Sequence, residues 1–466
     1  MSREDHEQDF RLGRLRFIRL PPTAVTFSSK AESLPCKSSR PSFGRELPTD
    51  ECVPAVDLGF GVTDDYGTDI DLFESIDLRL EIVSTSNGEP VDSLRLKLAT
   101  DERSNPSQVE PWLDFTFNPS RGPFHGLGVK LVNTTARGQL PKRLSFRLTV
   151  APPREPNNSS LACESMASRS VREIVNEPSQ PVLETWNDMR YIFLAVESGD
   201  VELVSRVATK SASEKVQTTL RRIQFRDSDQ TPITIVERPG LNNSTGQRLW
   251  DCAIGISAFF SLHPNALSDS TLPPVSDETH HASKRRKRSS SAGPSRIIEL
   301  GAGCALASLV AERALRPLDR EASIVATDIG ATVETTLAEN LDYNAKGSRV
   351  GKRVLDWGKL SDAQIREVLV GPPGSIPATV PTRVVLVATD VLYNPESHPL
   401  LLDTLLSFLR PSETAALYLE GDACRALIAY KRRTDGDDGF FDLAKKAGLK
   451  VEKVWTWSEV SVWSFE

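Results

Sequence analysis

The sequence predicts an α/β fold in its C-terminal half, a doubly wound and mostly parallel sheet, with an N-terminal β-rich region before it. Short apolar runs alternate with amphipathic stretches from residue 296 to the C-terminus. A Gly-Ala-Gly turn at 301–303 follows the first apolar run. The ends of four runs carry an acid, at Glu299, Asp328, Asp356 and Asp390. Ligands in doubly wound sheets bind beyond the carboxyl ends of the strands, so these acids mark a candidate site.

Strands and helices alternate along this half of the chain. Ile297, Ile298 and Leu300 predict a buried strand, and 304–315 has the apolar spacing of a helix that Pro317 ends. SIVATD at 323–328 predicts the second strand, and TTLAENLDYN after it is helix-like. The remaining predicted elements are strands at 353–358, 383–390 and 413–422, helices at 399–409 and 438–448, and a hairpin within 449–466.

The glycine turn indicates which nucleotide binds. Leu306 occupies the third glycine position of a dinucleotide fingerprint, and no glycine-rich triphosphate loop ending in Gly-Lys-Ser or Gly-Lys-Thr is present. The carboxylate of Glu299 disfavours a pyrophosphate and favours an ammonium or sulfonium group. This pattern predicts S-adenosylmethionine rather than NAD, with Asp328 on the ribose hydroxyls. The alternative is that the glycines form only a tight turn.

Five motifs in order carry a resemblance over roughly residues 220–466. ELGAG, VATD, LDWG, DVLY and the upstream GQRLWDCAIGISAFF resemble the seven-strand protein-lysine methyltransferases of the methyltransferase-like 21 type. The resemblance implies a class I, Rossmann-like sheet of seven strands, the cofactor S-adenosylmethionine, and a lysine-bearing protein as substrate. It also implies that Glu299, Gly301 and Gly303 line the methionine end of the cofactor and that Asp328 holds the ribose.

The same resemblance implies roles for five further residues. Asp356 and Trp357 flank the adenine, and Trp250 packs over the cofactor. Asp390 and Tyr393 border the channel for the target lysine and are the predicted catalytic residues. The family's usual Thr-Gly or Ser-Gly pair is replaced at 304–305 by Cys-Ala.

Methyl transfer from a sulfonium needs positioning more than covalent catalysis. The attacking lysine amine has to be neutral, and burial in an aromatic channel lowers its pKa. We expect Asp390 to attract and orient the lysine and Tyr393 to aim the amine at the methyl group. His398 begins a predicted helix and is expected to be a solvated cap residue. Cys304 is expected to be a buried small apolar residue.

Composition limits the class of protein. A chain of 466 residues predicts two domains, and a net charge of −7 disfavours a broad nucleic-acid-binding surface. No apolar run approaches membrane-spanning length, and the N-terminus is charged, which predicts a soluble protein of the cytoplasm, with the nucleus as a second location. Six scattered cysteines without a C-x-x-C motif predict reduced thiols and no metal site.

The predicted domains are a disordered or extended N-terminus at 1–50, a β-rich accessory region at 51–151, a linker at 152–182 and the methyltransferase domain at 183–466. Within the last, 183–218 is predicted to be helical, and 263–295 is predicted to be a disordered basic insert. Its run Lys284 to Arg288 is either an import signal, a contact for an acidic partner, or a solvated insert. Three functional alternatives stay open: methylation of a small molecule or another protein nitrogen, a non-catalytic cofactor-binding scaffold, and an NAD oxidoreductase.

Overall fold

The computed structural model describes residues 11–26, 56–66, 68–70, 72, 75–85, 88–99, 111–133, 140–151, 184–185, 191–204, 217–223, 232–238, 245–268, 295–318, 322–345, 348–370, 383–413, 424–434 and 436–466. These residues divide into two compact units. The N-terminal unit contains the described residues of Gly13–Glu164 and Glu184–Arg221, and the C-terminal unit contains those of Arg222–Glu466.

The N-terminal unit is built of strands in two sheets. Its strands are β1 (Arg11–Arg19), β2 (Ala24–Thr26), β3 (Val56–Thr63), β4 (Ile76–Val83), β5 (Leu94–Leu98), β6 (Trp112–Phe117), β7 (Phe124–Asn133), β8 (Arg143–Val150), β9 (Glu184–Thr185), β10 (Tyr191–Leu194), β11 (Val196–Ser198), β12 (Val201–Val204) and β13 (Thr219–Ile223). One sheet has the order β5-β7-β3-β1-β10-β9. The other has the order β13-β11-β8-β12-β2, with β4 paired to β8 and β6.

Alternation along the strands explains the core of this unit. In β4 the side chains of Leu78 and Leu80 are fully buried, whereas Asp77 between Ile76 and Leu78 is exposed. Apolar residues from both sheets join in one buried cluster. The antiparallel strands predicted between residues 51 and 151 are therefore confirmed.

Two boundaries predicted from the sequence were wrong. Part of the 1–50 segment forms β1 and β2, because Leu15 and Phe17 alternate with arginine and reach the core. In the described residues of 183–218 the predicted helix is replaced by strands β9 to β12, and the described residues of 184–221 belong to the N-terminal unit. Two apolar runs on either side of Gly199 form β11 and β12, which both pair with β8, so these runs produce strands instead of a helix. The predicted linker at 152–182 lies outside the described residues.

The C-terminal unit alternates strands and helices. Its elements are β14 (Ile233–Glu237), α1 (Asp251–Leu262), β15 (Ser295–Leu300), α2 (Leu306–Leu315), β16 (Ser323–Asp328), α3 (Gly330–Thr332), a π-helical stretch (Val333–Leu337), α4 (Ala338–Tyr343), β17 (Gly351–Val354), α5 (Asp362–Val370), β18 (Arg383–Thr389), α6 (His398–Leu409), β19 (Cys424–Tyr430), α7 (Gly439–Lys446), β20 (Val451–Trp457) and β21 (Val460–Phe465).

A mixed sheet forms the centre of this unit, in the order β17-β16-β15-β18-β19-β21-β20. The first five strands in this order, β17, β16, β15, β18 and β19, are parallel to one another. β21 is antiparallel to both β19 and β20. The predicted α/β alternation and terminal hairpin are confirmed. The strand predicted at 413–422 falls almost wholly outside the described residues, and β19, directly after it, was not predicted.

Two asparagine side chains fix β14 against the unit. Asn340 accepts from the amide of Val236 at 2.7 Å and donates to its carbonyl at 3.3 Å. Asn344, one helical turn later, exchanges the same pair of bonds with Thr234 at 3.1 and 2.8 Å. These amides pair with the backbone of Thr234 and Val236 as a strand would, and they satisfy those buried backbone groups of β14. The end of β14 is thereby held close to the site described below.

Among the described residues, the structure has no helix that is both long and apolar enough to cross a membrane.

Candidate functional site

The floor of the site is the glycine turn between β15 and α2. Gly301 has φ +68° and Gly303 has φ +50°, a left-handed backbone that glycine adopts without strain. A Cβ added to Gly301 would lie 3.1 Å from Cζ2 of Trp357 and 3.2 Å from Cγ1 of Val391. Glycine at 301 therefore leaves the turn open while bulky neighbours approach it. Both glycines line the cavity.

Asp328 lies beside this turn at the end of β16. Its Oδ2 accepts from the backbone amide of Gly303 at 2.8 Å, and its Oδ1 accepts from that of Ile329 at 2.8 Å. Burial raises the pKa of the carboxyl, although these backbone hydrogen bonds oppose the rise. The carboxylate faces the cavity with acceptor capacity left for hydroxyl groups, which fits the predicted ribose contact.

Asp356 and Trp357 follow β17 on the other side of Asp328. The amide of Leu355 donates to the carbonyl of Asp328 at 3.0 Å, which brings the two strand ends together. Asp356 is exposed and Trp357 is partly buried, and both line the cavity. A carboxylate and a flat ring side by side match the predicted environment of an adenine.

Residues 245–250, here called the cover segment, lie over the glycine turn. Trp250 donates its ring N–H to the carbonyl of Thr245 at 2.8 Å, and both residues line the cavity. The amide of Leu249 donates to Oε1 of the buried Glu237 at 2.9 Å, which ties the segment to β14. The thiol of Cys304 points at the carbonyl of Gly246 at 3.8 Å. Of these residues only Trp250 was predicted to be in the site.

Asp390 follows β18, and its carboxylate accepts three hydrogen bonds from two partners. Its Oδ1 accepts from Nε and Nη2 of Arg433 at 2.9 and 2.7 Å, and its Oδ2 accepts from the amide of Cys252 at 3.1 Å. Asp390 lines the cavity. Its charge, however, is already matched by the guanidinium of Arg433. This pairing could not be predicted, since Arg433 lies in a run of basic residues, Lys-Arg-Arg, typical of an exposed loop.

Tyr393 lies at the opening of the cavity. Its side chain is 48% exposed, and its hydroxyl is 3.4 Å from Oγ1 of Thr245 in the cover segment. The predicted catalytic pair therefore lines one cavity with the predicted cofactor residues. The two residues differ in their exposure: the side chain of Asp390 is buried in an ion pair, whereas Tyr393 is accessible to solvent.

Glu299 is the one predicted residue that does not line the cavity. It is 1% exposed and accepts from the amide of Ser308 at 3.0 Å and from its hydroxyl. Alternation along β15 turns Ile298 and Leu300 into the opposite core cluster and leaves Glu299 beneath α2. Burial raises the pKa of this carboxyl to about 7, against the effect of the Ser308 hydrogen bonds. The carboxylate of Glu299 is therefore bound to α2 and not exposed to the cavity, and its contact with the methionine end of a cofactor stays a prediction.

The structure also shows the surroundings of His398 and Cys304. His398 was predicted to be a solvated cap residue, which was wrong: it is buried, and its Nε2 lies 2.9 Å from the carbonyl of Leu392. The burial expected for Cys304 is confirmed, and burial raises the pKa of its thiol. The basic run Lys284 to Arg288 lies outside the described residues.

These residues enclose a cavity of about 530 Å³ at the carboxyl ends of β15, β16 and β18. Ligand pockets for molecules of cofactor size fall in the range of roughly 300–1,000 Å³. Eight of the predicted site residues line it: Trp250, Gly301, Gly303, Asp328, Asp356, Trp357, Asp390 and Tyr393.

Residues 227–447 match a family model described as lysine methyltransferase. This segment is therefore similar to the lysine methyltransferase family. The match spans the glycine turn, the four strand ends and Arg433, and it begins before the cover segment. Together with a strand-end cavity of this form, the match indicates that this methyltransferase domain uses S-adenosylmethionine as its cofactor. Assignment to the methyltransferase-like 21 type stays a prediction.

Solved structures resemble the chain at low identity. The pyocyanin biosynthetic protein PhzM is 14% identical over 36% of this chain and 49% of its own, with a TM-score of 0.23. The precorrin-6y C5,15-methyltransferase of Geobacter metallireducens GS-15 is 14% identical over 37% of this chain and 82% of its own, with a TM-score of 0.22. The methyltransferase PaMTH1 of Podospora anserina, solved with S-adenosylhomocysteine, is 14% identical over 37% and 70%, with a TM-score of 0.24. The chain thus spans about half the length of the first of these proteins. No curated protein sequence matches the chain.

Proposed function

We propose that the C-terminal domain is a protein-lysine N-methyltransferase that transfers the methyl group of S-adenosylmethionine to a lysine side chain. The observation that carries this proposal is the shared cavity. Gly301, Asp328 and Trp357 line it together with Asp390 and Tyr393, so a cofactor site and an accessible tyrosine open into one space. The family match supports a lysine as acceptor.

The cavity supports this chemistry through positioning and desolvation. Bound S-adenosylmethionine supplies an electrophilic methyl group on a sulfonium. The acceptor amine has to be neutral, whereas an ordinary lysine has a pKa near ~10.4. Removal of water next to Trp250 and Tyr393 disfavours the ammonium form. The exposed hydroxyl of Tyr393 can accept a hydrogen bond from the entering amine and direct its lone pair.

Labelling with tritiated S-adenosylmethionine tests the proposal. Purified full-length protein is incubated with lysate, and labelled proteins are digested and analysed by mass spectrometry for methyl-lysine. We expect label in lysine side chains of one or a few proteins, and we expect Tyr393→Phe to lower the rate. Tyr343→Phe is the matched control, because Tyr343 is similarly exposed, at 45%, on α4 outside this cavity.

The alternatives give different outcomes in the same experiment. Label confined to small molecules, or to protein nitrogens other than lysine, would contradict lysine as acceptor while leaving methyl transfer intact. Binding of S-adenosylhomocysteine in a calorimetric titration without any transfer would favour the scaffold. We propose that this protein itself is cytoplasmic, with the nucleus as a second location.

A further inference from the structure

A buried ion pair lies at the end of β18, next to the cavity. The side chains of Arg433 and Asp390 are 2% and 6% exposed. Both Nε and Nη2 of Arg433 donate to the same carboxylate oxygen, at 2.9 and 2.7 Å. The other oxygen accepts from the amide of Cys252 in the first turn of α1. Asp390 thus has one oxygen on a guanidinium and one on a helix N-terminus.

The loop after β19 is built to hold Arg433 in this place. Asp437 is fully buried, and its Oδ2 accepts from the amides of Arg433 at 2.8 Å and Thr434 at 3.0 Å. The guanidinium carbon of Arg433 also lies 5.3 Å from the ring centroid of Trp250, within cation–π range. Arg433 is not among the residues that line the cavity, so it acts through Asp390 and Trp250, which do.

The other charges around this pair are also matched. In α1, Asp251 accepts from Nζ of Lys431 at 2.7 Å, and Lys431 lies 3.0 Å from Glu459 in the hairpin. The thiol of Cys252 has its pKa raised, first by burial and then by Asp390.

On the loop itself, Asp437 is buried, and Thr434 donates its hydroxyl to it as well. Arg432 faces Asp438 and is 61% exposed. On the cavity side, Tyr393 is a further titratable residue near this pair. Among these groups Asp390 is the carboxylate that lines the cavity, and Arg433 is its cation.

An unpaired carboxylate in this position would bind the substrate lysine as an ammonium and oppose transfer, since an opposite charge favours the charged form. We propose that Arg433 is a positioning residue which neutralises Asp390 and so allows the substrate amine to enter and react as the free base. The proposal rests on the lysine methyltransferase activity proposed above. It also changes the role expected for Asp390, from attracting the lysine to fixing the N-terminus of α1.

The pH dependence of the transfer rate tests this role. Initial rates of tritium transfer into lysate protein at saturating cofactor are measured from pH 6 to pH 10 for wild type and Arg433→Gln. We expect the rising limb of the profile to move to higher pH by about one unit or more, because Asp390 is left as an unpaired anion. Arg432→Gln removes the same charge from the exposed neighbour, and its profile should coincide with wild type.

Two further variants separate charge from folding. Arg433→Lys keeps the charge, so its profile should keep the wild-type midpoint even where its rate falls. The double variant with Asp390→Asn and Arg433→Gln removes both charges and should return the midpoint towards wild type, and it avoids an unpaired buried ion that could prevent folding. Thermal melting and titration with S-adenosylhomocysteine identify variants that are folded.

The outcomes are distinct. If the wild type is active and the pH profile of Arg433→Gln is unshifted, or if the double variant keeps the shift, the role proposed for Arg433 is overturned. The proposed function is then unaffected. A wild type that binds S-adenosylhomocysteine and transfers no methyl to lysine would overturn the proposed function, and the role of Arg433 with it.

Discussion

Glu299→Gln tests whether the carboxylate under α2 serves the fold or the cofactor. The sequence predicts a contact with the methionine end of S-adenosylmethionine. The structure instead buries the carboxylate and hydrogen-bonds it to Ser308. Glutamine has nearly the same shape and can still accept from the amide of Ser308, so the substitution mainly removes the charge.

The size of the effect follows from the pKa of this carboxyl. Its pKa is about 7 in the folded protein and 4.5 as the ordinary value. Between these pH values the folded protein holds the proton more often than the unfolded chain, so the free energy of unfolding falls as pH rises. The difference corresponds to about 3 kcal/mol of destabilisation at pH 8 that is absent at pH 4.5. Glutamine should remove this penalty.

Urea unfolding followed by tryptophan fluorescence measures the effect, since five of the seven tryptophans lie beyond Arg222. Relative to wild type, Glu299→Gln should gain about 3 kcal/mol at pH 8 compared with pH 4.5. Glu396→Gln, at an exposed position, is the control and should follow wild type. Parallel pH dependences for Glu299→Gln and wild type would refute the reasoning, and a large loss of S-adenosylhomocysteine affinity would restore the contact predicted from the sequence.

The remaining predictions concern the walls of the cavity. Gly301→Ala should cost about 1–2 kcal/mol of stability because it forces an L-residue into left-handed backbone, and titration should show weaker S-adenosylhomocysteine binding. Gly439→Ala is the control: an added Cβ there meets no atom within 4 Å, so stability should change by less than about 0.5 kcal/mol. Asp328→Ala should weaken binding of the same ligand by roughly ten- to a hundredfold, and unchanged affinity would contradict the ribose contact. Glu237→Ala leaves the buried amide of Leu249 without its acceptor, so denaturant unfolding should show a loss of about 1–3 kcal/mol together with weaker binding.

Features that depend on neighbours in the sequence could be predicted. The apolar run before Gly301, the acid at Asp328 and the Asp-Trp pair after β17 each show a strand end within a few residues. Parallel strands then bring these ends to one edge of the sheet, so local patterns were sufficient to place Asp328, Asp356 and Trp357 in one cavity.

Features that depend on distant partners could not. The side chain of Glu299 lies on the face of β15 that α2 covers, where it accepts from Ser308. His398 is buried with its Nε2 next to the carbonyl of Leu392. Arg433 lies 43 residues from Asp390 and 183 from Trp250, inside a run of basic residues that resembles a solvated loop. A buried carboxylate at a strand end needs a counter-ion, but the sequence alone does not choose among the 56 lysines and arginines.

The backbone at Asp390 connects these observations. Its φ is +54°, a left-handed conformation that costs an L-residue about 1–2 kcal/mol and that glycine would adopt without that cost. Aspartate tolerates this conformation better than most residues, and here it turns the carboxylate back from the strand end towards Cys252 and Arg433. Glycine would relieve the strain and leave the guanidinium and the helix N-terminus without their acceptor. The strained residue is therefore best understood as the joint that fixes α1, and with it Trp250, over the glycine turn, because a buried carboxylate with two fixed partners holds that geometry more firmly than a flexible loop would.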